Sequence, residues 1–283
     1  MLAQLVDLFK LRIGVMMALT AVAGFAVTPG KELSILQIIA LSLLVLAASA
    51  SAGAFNQYAE KDIDAVMKRT RNRPFVTGML KHGTLWLFVI VSLLAFSVAI
   101  AWKMFNPQVA LYLFLGAFFY GVVYTLWLKR HSVYNIVIGG AAGSFAVLAG
   151  AAAADPGLNS SSVLLAIVLF LWTPPHFWSL AISLHKDYEA AKVPMLPVII
   201  GDHKAAKVIL ANTLLLVSVS ILPFFYQMGY SYLILASLGG GYFIYKNILL
   251  VLNTNKKTAM GCFFASLIQL AAVLVGAMLD VLV

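Results

Sequence analysis

Residues 36–74 read LQIIALSLLVLAASASAGAFNQYAEKDIDAVMKRTRNRP. The first part is an uncharged apolar run as long as a membrane crossing. Out of it, with no linker, comes Asn56 to Pro74, which packs three carboxylates and five cations into one short stretch. Charge held at a lipid boundary is costly, so such a cluster marks a functional site by default. Its order is informative. The acids come first at helical spacing, and Lys68, Arg69, Arg71 and Arg73 follow. Oxygen ligands of that kind suit a hard divalent cation, and the cations suit a phosphate group.

The rest of the chain has the same character. Of its 283 residues 63% are apolar and 10% are charged, against about 25% charged in a soluble domain. Runs of Leu, Ala, Val and Ile without period-two alternation exclude a barrel and predict an all-α polytopic membrane bundle. We expect one intramembrane domain over 1–283. The single cysteine, Cys262, excludes internal disulfides and thiolate metal clusters. The start, MLAQLVDLFKLRIGV, is amphipathic and shows no signal-peptide cleavage pattern.

Nine apolar segments approach the length of a crossing: about 11–28, 36–58, 84–103, 108–127, 134–154, 162–184, 205–226, 230–252 and 259–280. The pair separated by Gln227-Met228-Gly229 is the least distinct. With a cytoplasmic N-terminus and a periplasmic C-terminus, 17 of the 19 Lys and Arg fall on the inner side, and only Lys31 and Lys103 fall outside. That asymmetry obeys the positive-inside rule. The net charge of +9 is therefore topology and attraction to membrane lipid, with no nucleic acid as partner.

Two inner loops carry acids. In the first, Asn56, Glu60 and Asp64 are four apart and stack on one helix face, while Asp62 points toward water or a cation. Mg²⁺ binds one or two carboxylates and completes its shell with water and substrate phosphates. The bland alternative is a solvated helix end with stray ion pairs. The second loop, HKDYEAAKVPMLPVIIGDHK from His185, offers Asp187 and Glu189 with Lys192 nearby. Upstream stands WTPPHFW, residues 172–178. Pro174 and Pro175 are expected to break that helix and free carbonyls. His176 would then lie about three turns below Asp187 on a shared face. It reads either as a substrate contact or proton carrier, or as a core histidine bonded to a freed carbonyl. A third inner stretch, YTLWLKRHSVYN from Tyr124, adds Lys129 and Arg130. The run GGAAGSFAVLAGAAAA from Gly139 reads as close helix packing, or else as room for a flat ligand.

NQYAEKDID followed by RTRNRP resembles the first aspartate-rich motif of the UbiA-type intramembrane prenyltransferases. Asn56, Gln57, Glu60 and Asp64 fall on its polar positions, with Gln57 and Glu60 standing where the general pattern has Asp. In the second motif PPHFW precedes KDYEAAKVPMLPV, so His176 takes the place of an acid. These departures, and YTLWLKRHSVYN, are similar to the branch of the family that farnesylates heme. The resemblance runs over essentially the whole chain. It implies transfer of the farnesyl group of farnesyl diphosphate to a vinyl group of heme B with addition of water, giving heme O and diphosphate. It implies Mg²⁺ held by Glu60, Asp64 and Asp187, with Asn56 and Gln57 supporting the site. Lys68, Arg69, Arg73, Lys129, Arg130 and Lys192 would bind the diphosphate, and His176 and His185 would be the heme contacts. The implied location is the bacterial inner membrane, with the active-site loops cytoplasmic. Partners would be membrane lipid and the heme A synthase or terminal-oxidase assembly proteins. Prenylation of an aromatic acid and a transporter with a broken helix are the competing readings. Gln57 and His176 weigh against the first, and acids at one mouth rather than the midplane weigh against the second.

Overall fold

A computed structural model describes residues 2–280. In chain order the helices are α1 (Leu2–Leu8), α2 (Leu11–Ala26), α3 (Ile35–Ala59), α4 (Lys61–Val66) and α5 (Thr84–Met104). They continue with α6 (Pro107–His131), α7 (Asn135–Ala154), α8 (Ser160–Ser183), α9 (His185–Ala190) and α10 (Leu196–Ile200). The last three are α11 (Asp202–Phe225), α12 (Tyr230–Leu252) and α13 (Lys256–Asp280). The described residues contain no strand, as expected where lipid leaves backbone groups no other partner.

Eight of these helices are long and apolar enough to cross a membrane. The remaining segment expected to cross, α2, has 16 residues. At 1.5 Å per residue it reaches about 24 Å, short of a hydrocarbon core of about 30 Å. One face of it is nonetheless packed closely into the bundle. A Cβ placed on Gly150 of α7 would lie 1.7 Å from the Ala21 carbonyl oxygen, and one on Gly24 of α2 would lie 2.2 Å from the Val147 oxygen. The two backbones therefore touch, and the Gly/Ala run of α7 is helix packing. Its residues Ala149 to Ala152 are fully or nearly fully buried.

Turn chemistry separates neighbouring helices. Asn106 caps α6 ahead of Pro107, its side chain accepting from the Val109 amide at 2.9 Å. Asn159 caps α8 in the same manner with Ser162. α11 ends in a 3-10 turn over Leu222–Phe225, and beyond it the Gly229 amide donates to Asp280 at 2.5 Å. The two indistinct segments are thus separate helices.

Pro174 and Pro175 do not break α8, which runs unbroken from Ser160 to Ser183. Pro175 has no N–H for the Leu171 carbonyl, and Asn212 of α11 supplies the missing donor at 2.7 Å. The freed group is thus satisfied by a neighbouring helix. His176 and Asp187 are carried by two helices joined through a hinge, across which the Leu184 amide donates to the Leu180 carbonyl (3.0 Å) and the Tyr188 amide to the Leu184 carbonyl (3.2 Å). The chain leaves helical geometry at Leu184 (φ −118°, ψ 27°), so the two residues belong to α8 and α9.

Candidate functional site

The site is built where α3 passes into α4. Glu60 is the hinge, with φ −103° and ψ 21°. Hydrogen bonds nonetheless run from the Glu60 amide to the Asn56 carbonyl (3.0 Å) and from the Asp64 amide to the Glu60 carbonyl (2.8 Å). The four-residue spacing survives the hinge, and Asn56, Glu60 and Asp64 stay on one face. That face is inside the protein: the three are 2%, 1% and 2% exposed.

Buried carboxylates require partners, and each acid has a cation. Lys129 Nζ donates to Glu60 Oε2 at 2.5 Å. Arg73 Nη1 donates to both Asp64 oxygens, at 2.8 and 2.7 Å. Asn56 is held from two sides, with Oδ1 accepting from Lys10 Nζ at 2.6 Å and Nδ2 donating to Thr125 Oγ1 at 3.0 Å. Gln57 donates to the Asp7 carbonyl at 2.7 Å.

The opposing wall is the end of α6, where residues Phe119–Leu128 are wound as a π-helix. Thr125 Oγ1 accordingly donates to the Tyr120 carbonyl, five residues back. The wide turns bring Tyr120, Thr125 and Lys129 against α3, and wide turns of this kind recur at functional sites. Lys10 completes the wall, donating to the Tyr120 hydroxyl at 2.9 Å. It holds a left-handed backbone conformation (φ 47°) between α1 and α2. Burial, and the Arg73 guanidinium beyond it, lower the Lys10 ammonium to about 7, against the pull of Glu60 and Asp64.

The expected three-carboxylate metal set is not drawn together. Among the described residues no three His, Cys, Asp or Glu side chains gather closely enough to hold one ion. Asp187 is half-buried on α9, while Glu60 and Asp64 are each turned to a cation. Two oxygens still fit a hard cation. Glu60 Oε1 and Gln57 Oε1 are buried without a hydrogen-bond partner, and they lie one turn apart on adjacent rungs of the same helix end. Orphaned acceptors in a buried site are costly, and oxygen donors are what Mg²⁺ takes.

The remaining predicted residues are distributed around this core. Lys68 and Arg69 are exposed. Arg69 lies near Tyr188 of α9, whose buried phenol is pushed up by desolvation and eased down by that guanidinium. Arg130 does not face the buried acids. It makes a bidentate pair with Asp62 at 2.7 and 2.8 Å, and the two side chains are 34% and 64% exposed. Asp62, expected to point toward water or a cation, is exposed and paired with Arg130. Lys192 stands beside that pair on the rim of the same outer cleft. The sequence reading assigned Arg130 and Lys192 to the diphosphate; the structure sets them outside the acid core, because Asp62 is the carboxylate within Arg130's reach.

His176 is buried in α8. Its ring lies between Trp172 (4.2 Å between centroids) and Phe263 (4.5 Å), and Nδ1 meets Ser266 Oγ at 2.7 Å. His185 pairs with Asp202 at 2.7 Å. Neither touches the acid core through a hydrogen bond. Sequence reasoning missed Lys10, Tyr120 and Thr125. In the sequence Lys10 is one of many cations on the inner side, and Tyr120 and Thr125 sit in an apolar run with no charge beside them to mark them.

The chain can be set beside known proteins. Residues 17–268 match the UbiA prenyltransferase family. It is 54% identical over 279 residues to "Protoheme IX farnesyltransferase 2" of Paramagnetospirillum magneticum, covering 99% of this chain and 97% of that one. "Protoheme IX farnesyltransferase 1" of the same organism is 44% identical, with 98% of each covered. Among solved structures, a digeranylgeranylglyceryl phosphate synthase superposes with TM-score 0.78 at 22% identity, over 98% of both chains. A UbiA homologue from Archaeoglobus fulgidus bound to DMAPP and Mg²⁺ gives 0.72 at 17%, over 95% of this chain and 99% of that one. The fold is shared with these structures, and on sequence the chain belongs to the UbiA prenyltransferase family.

Proposed function

We propose that this chain transfers the farnesyl group of farnesyl diphosphate to a vinyl carbon of heme B with addition of water, giving heme O and diphosphate. The observation that carries the reading is near full-length identity of 54% to a relative named protoheme IX farnesyltransferase. The buried acid and cation core supplies chemistry that fits it.

Lys129, Arg73 and Lys10 surround the acids, and Lys68 and Arg69 stand at the entrance. They would receive the diphosphate and offset the charge that develops as the C–O bond breaks with its electron pair on the leaving group. Glu60 Oε1 and Gln57 Oε1 would hold Mg²⁺, with Asp64 and Asp187 the further carboxylates that the family resemblance assigns to it. Bound there, the ion would neutralise charge on the departing diphosphate. Asn56 is the positioning residue of the core, fixed between Lys10 and Thr125.

The allylic farnesyl carbon then accepts the terminal carbon of the heme vinyl group. The cation left beside the macrocycle takes the oxygen of water, which releases a proton. Burial of the core keeps water from the first cation until that bond has formed. His176, with Nδ1 taken by Ser266, has Nε2 for a heme contact, and His185 is the second candidate.

We further propose nine crossings, with α2 as the first. The N-terminus and the acid core are then cytoplasmic and the C-terminus periplasmic, in a bacterial inner membrane. The inner bias of Lys and Arg supports this orientation. Heme A synthase and terminal-oxidase assembly proteins are the partners this product would serve.

Expression in cells that make no heme O of their own, followed by heme extraction, tests the reaction. Heme O is expected. A prenylated quinone precursor in its place would overturn the reading.

A further inference from the structure

Of the six cations that the resemblance assigns to the diphosphate, Arg130 and Lys192 are the two that stand apart from the acid core and its entrance. Together with Asp62 they line a cleft of about 430 Å³ between the two inner acidic loops. Its other walls are apolar, from Ile63, Val66 and Val193. The volume lies within the range of small-molecule sites, roughly 300–1,000 Å³. The cleft and the core are back to back on the same two elements. On α4's segment Glu60 faces inward and Asp62 outward, and at the end of α6 Lys129 faces inward and Arg130 outward. Arg130 is also tied to the hinge, donating to the Ala59 carbonyl at 3.3 Å.

The chemistry of the cleft differs from that of the core. Its one acid is already paired, so it offers no free carboxylate for a metal-bound diphosphate. Its two cations lie at a water-accessible rim above apolar walls. That pattern suits an apolar plate carrying carboxylates at one edge, since guanidinium binds carboxylate in a two-pronged fashion. Resting on the function proposed above, we infer that this cleft binds the propionate edge of the heme substrate through Arg130 and Lys192. Asp62 holds the guanidinium in place until a propionate displaces it. The pair is open to solvent, so the exchange does not strand a buried charge.

The test titrates protoheme into the full-length protein in phosphatidylcholine nanodiscs, followed by absorbance, with no farnesyl diphosphate present. In the Arg130→Gln, Lys192→Gln double variant, protoheme affinity should fall about tenfold. Protoheme dimethyl ester should bind variant and wild type alike. The Michaelis constant for farnesyl diphosphate should not move. Asp62→Asn, which removes the competitor for Arg130, should tighten protoheme. Restoring charge as Arg130→Lys, Lys192→Arg should recover part of the loss, which separates binding from folding. Four results would each overturn the inference: equal protoheme affinity in the double variant, an equal deficit with the ester, a raised Michaelis constant for farnesyl diphosphate alone, or loosening by Asp62→Asn. Anionic lipid is the other source of such a headgroup. If phosphatidylglycerol nanodiscs abolish protoheme binding, the cleft is a lipid site and the inference falls. A wild type that binds protoheme through these cations but makes no heme O would instead sink the function and leave the cleft standing.

Discussion

Lys129 Nζ lies 2.5 Å from Glu60 Oε2, joining residues 69 apart in sequence inside a membrane protein. The pair neutralises a carboxylate that is 1% exposed. Removing the cation alone strands that charge, so Lys129→Met should cost about 3–5 kcal/mol. Pairing it with Glu60→Gln should recover most of the loss, because no charge is then left unpaired. Turnover should stay abolished in both variants. Thermal unfolding in detergent and heme O formation separate the two effects. A double variant as unstable as the single one would remove the ion pair from the account.

Arg73 grips both oxygens of Asp64 through one guanidinium nitrogen, at 2.8 and 2.7 Å. Nη1 alone makes that contact, so a lysine can still hold Asp64 but lacks the further guanidinium N–H groups that would meet the diphosphate. Arg73→Lys should raise the Michaelis constant for farnesyl diphosphate about tenfold, a loss of about 1.4 kcal/mol. Arg73→Ala should lose more, since Asp64 is then buried without a cation. Steady-state kinetics with varied farnesyl diphosphate decide this. Equal constants in wild type and Arg73→Lys would show that those further N–H groups are not needed.

The helices were legible in the sequence because lipid imposes one rule, a long apolar run with charge at its ends. The segment 134–154 and helix α7 nearly coincide. The acid core was legible too, because Asn56, Glu60 and Asp64 are near neighbours in one helix. What sequence could not supply is which cation meets which acid. Lys129 and Arg130 are adjacent and chemically alike, yet one turns inward to Glu60 and the other outward to Asp62. That choice depends on the π-helical turns before them, and the apolar pattern of a membrane helix does not encode such turns. Likewise Pro174-Pro175 reads as a break from local rules. Only the fold brings Asn212 to the freed carbonyl.

Lys10 carries a pH signature. Its ammonium is lowered from the ordinary 10.5 to about 7 by burial, with Arg73 and Arg69 adding to the effect and Glu60 and Asp64 opposing it. Between those values the unfolded chain binds a proton that the folded chain does not. Stability therefore rises with pH in that window, by up to about 1.4 kcal/mol per unit. Lys10→Met removes the group, so the rise should vanish. Melting temperatures of both proteins from pH 7 upward are the check. Parallel curves would mean that Lys10 stays charged when folded.

Asn212 is the only described donor to the Leu171 carbonyl that Pro175 leaves open. Asn212→Leu keeps the branched shape and removes that donor. The orphaned carbonyl should cost about 1–3 kcal/mol, read as a lower melting temperature with heme O formation otherwise retained. An unchanged melting temperature would show the carbonyl to be satisfied in another way.

The contact of α2 with α7 ties packing to chemistry. A Cβ on Gly150 would stand 1.7 Å from the Ala21 oxygen, so Gly150→Ala cannot be absorbed by a side chain. Backbone has to move, and overpacking of that kind costs about 1–3 kcal/mol or more. The movement would be felt at the site, because α2 begins immediately after Lys10, whose ammonium holds Asn56 and Tyr120. Gly150→Ala should therefore lower both the melting temperature and heme O formation. Gly143→Ala on the same helix is the control, since a Cβ there meets nothing within 4 Å. It should leave both unchanged or gain slightly from the helix propensity of alanine. If the two variants behave alike, the α2–α7 contact does not position Lys10.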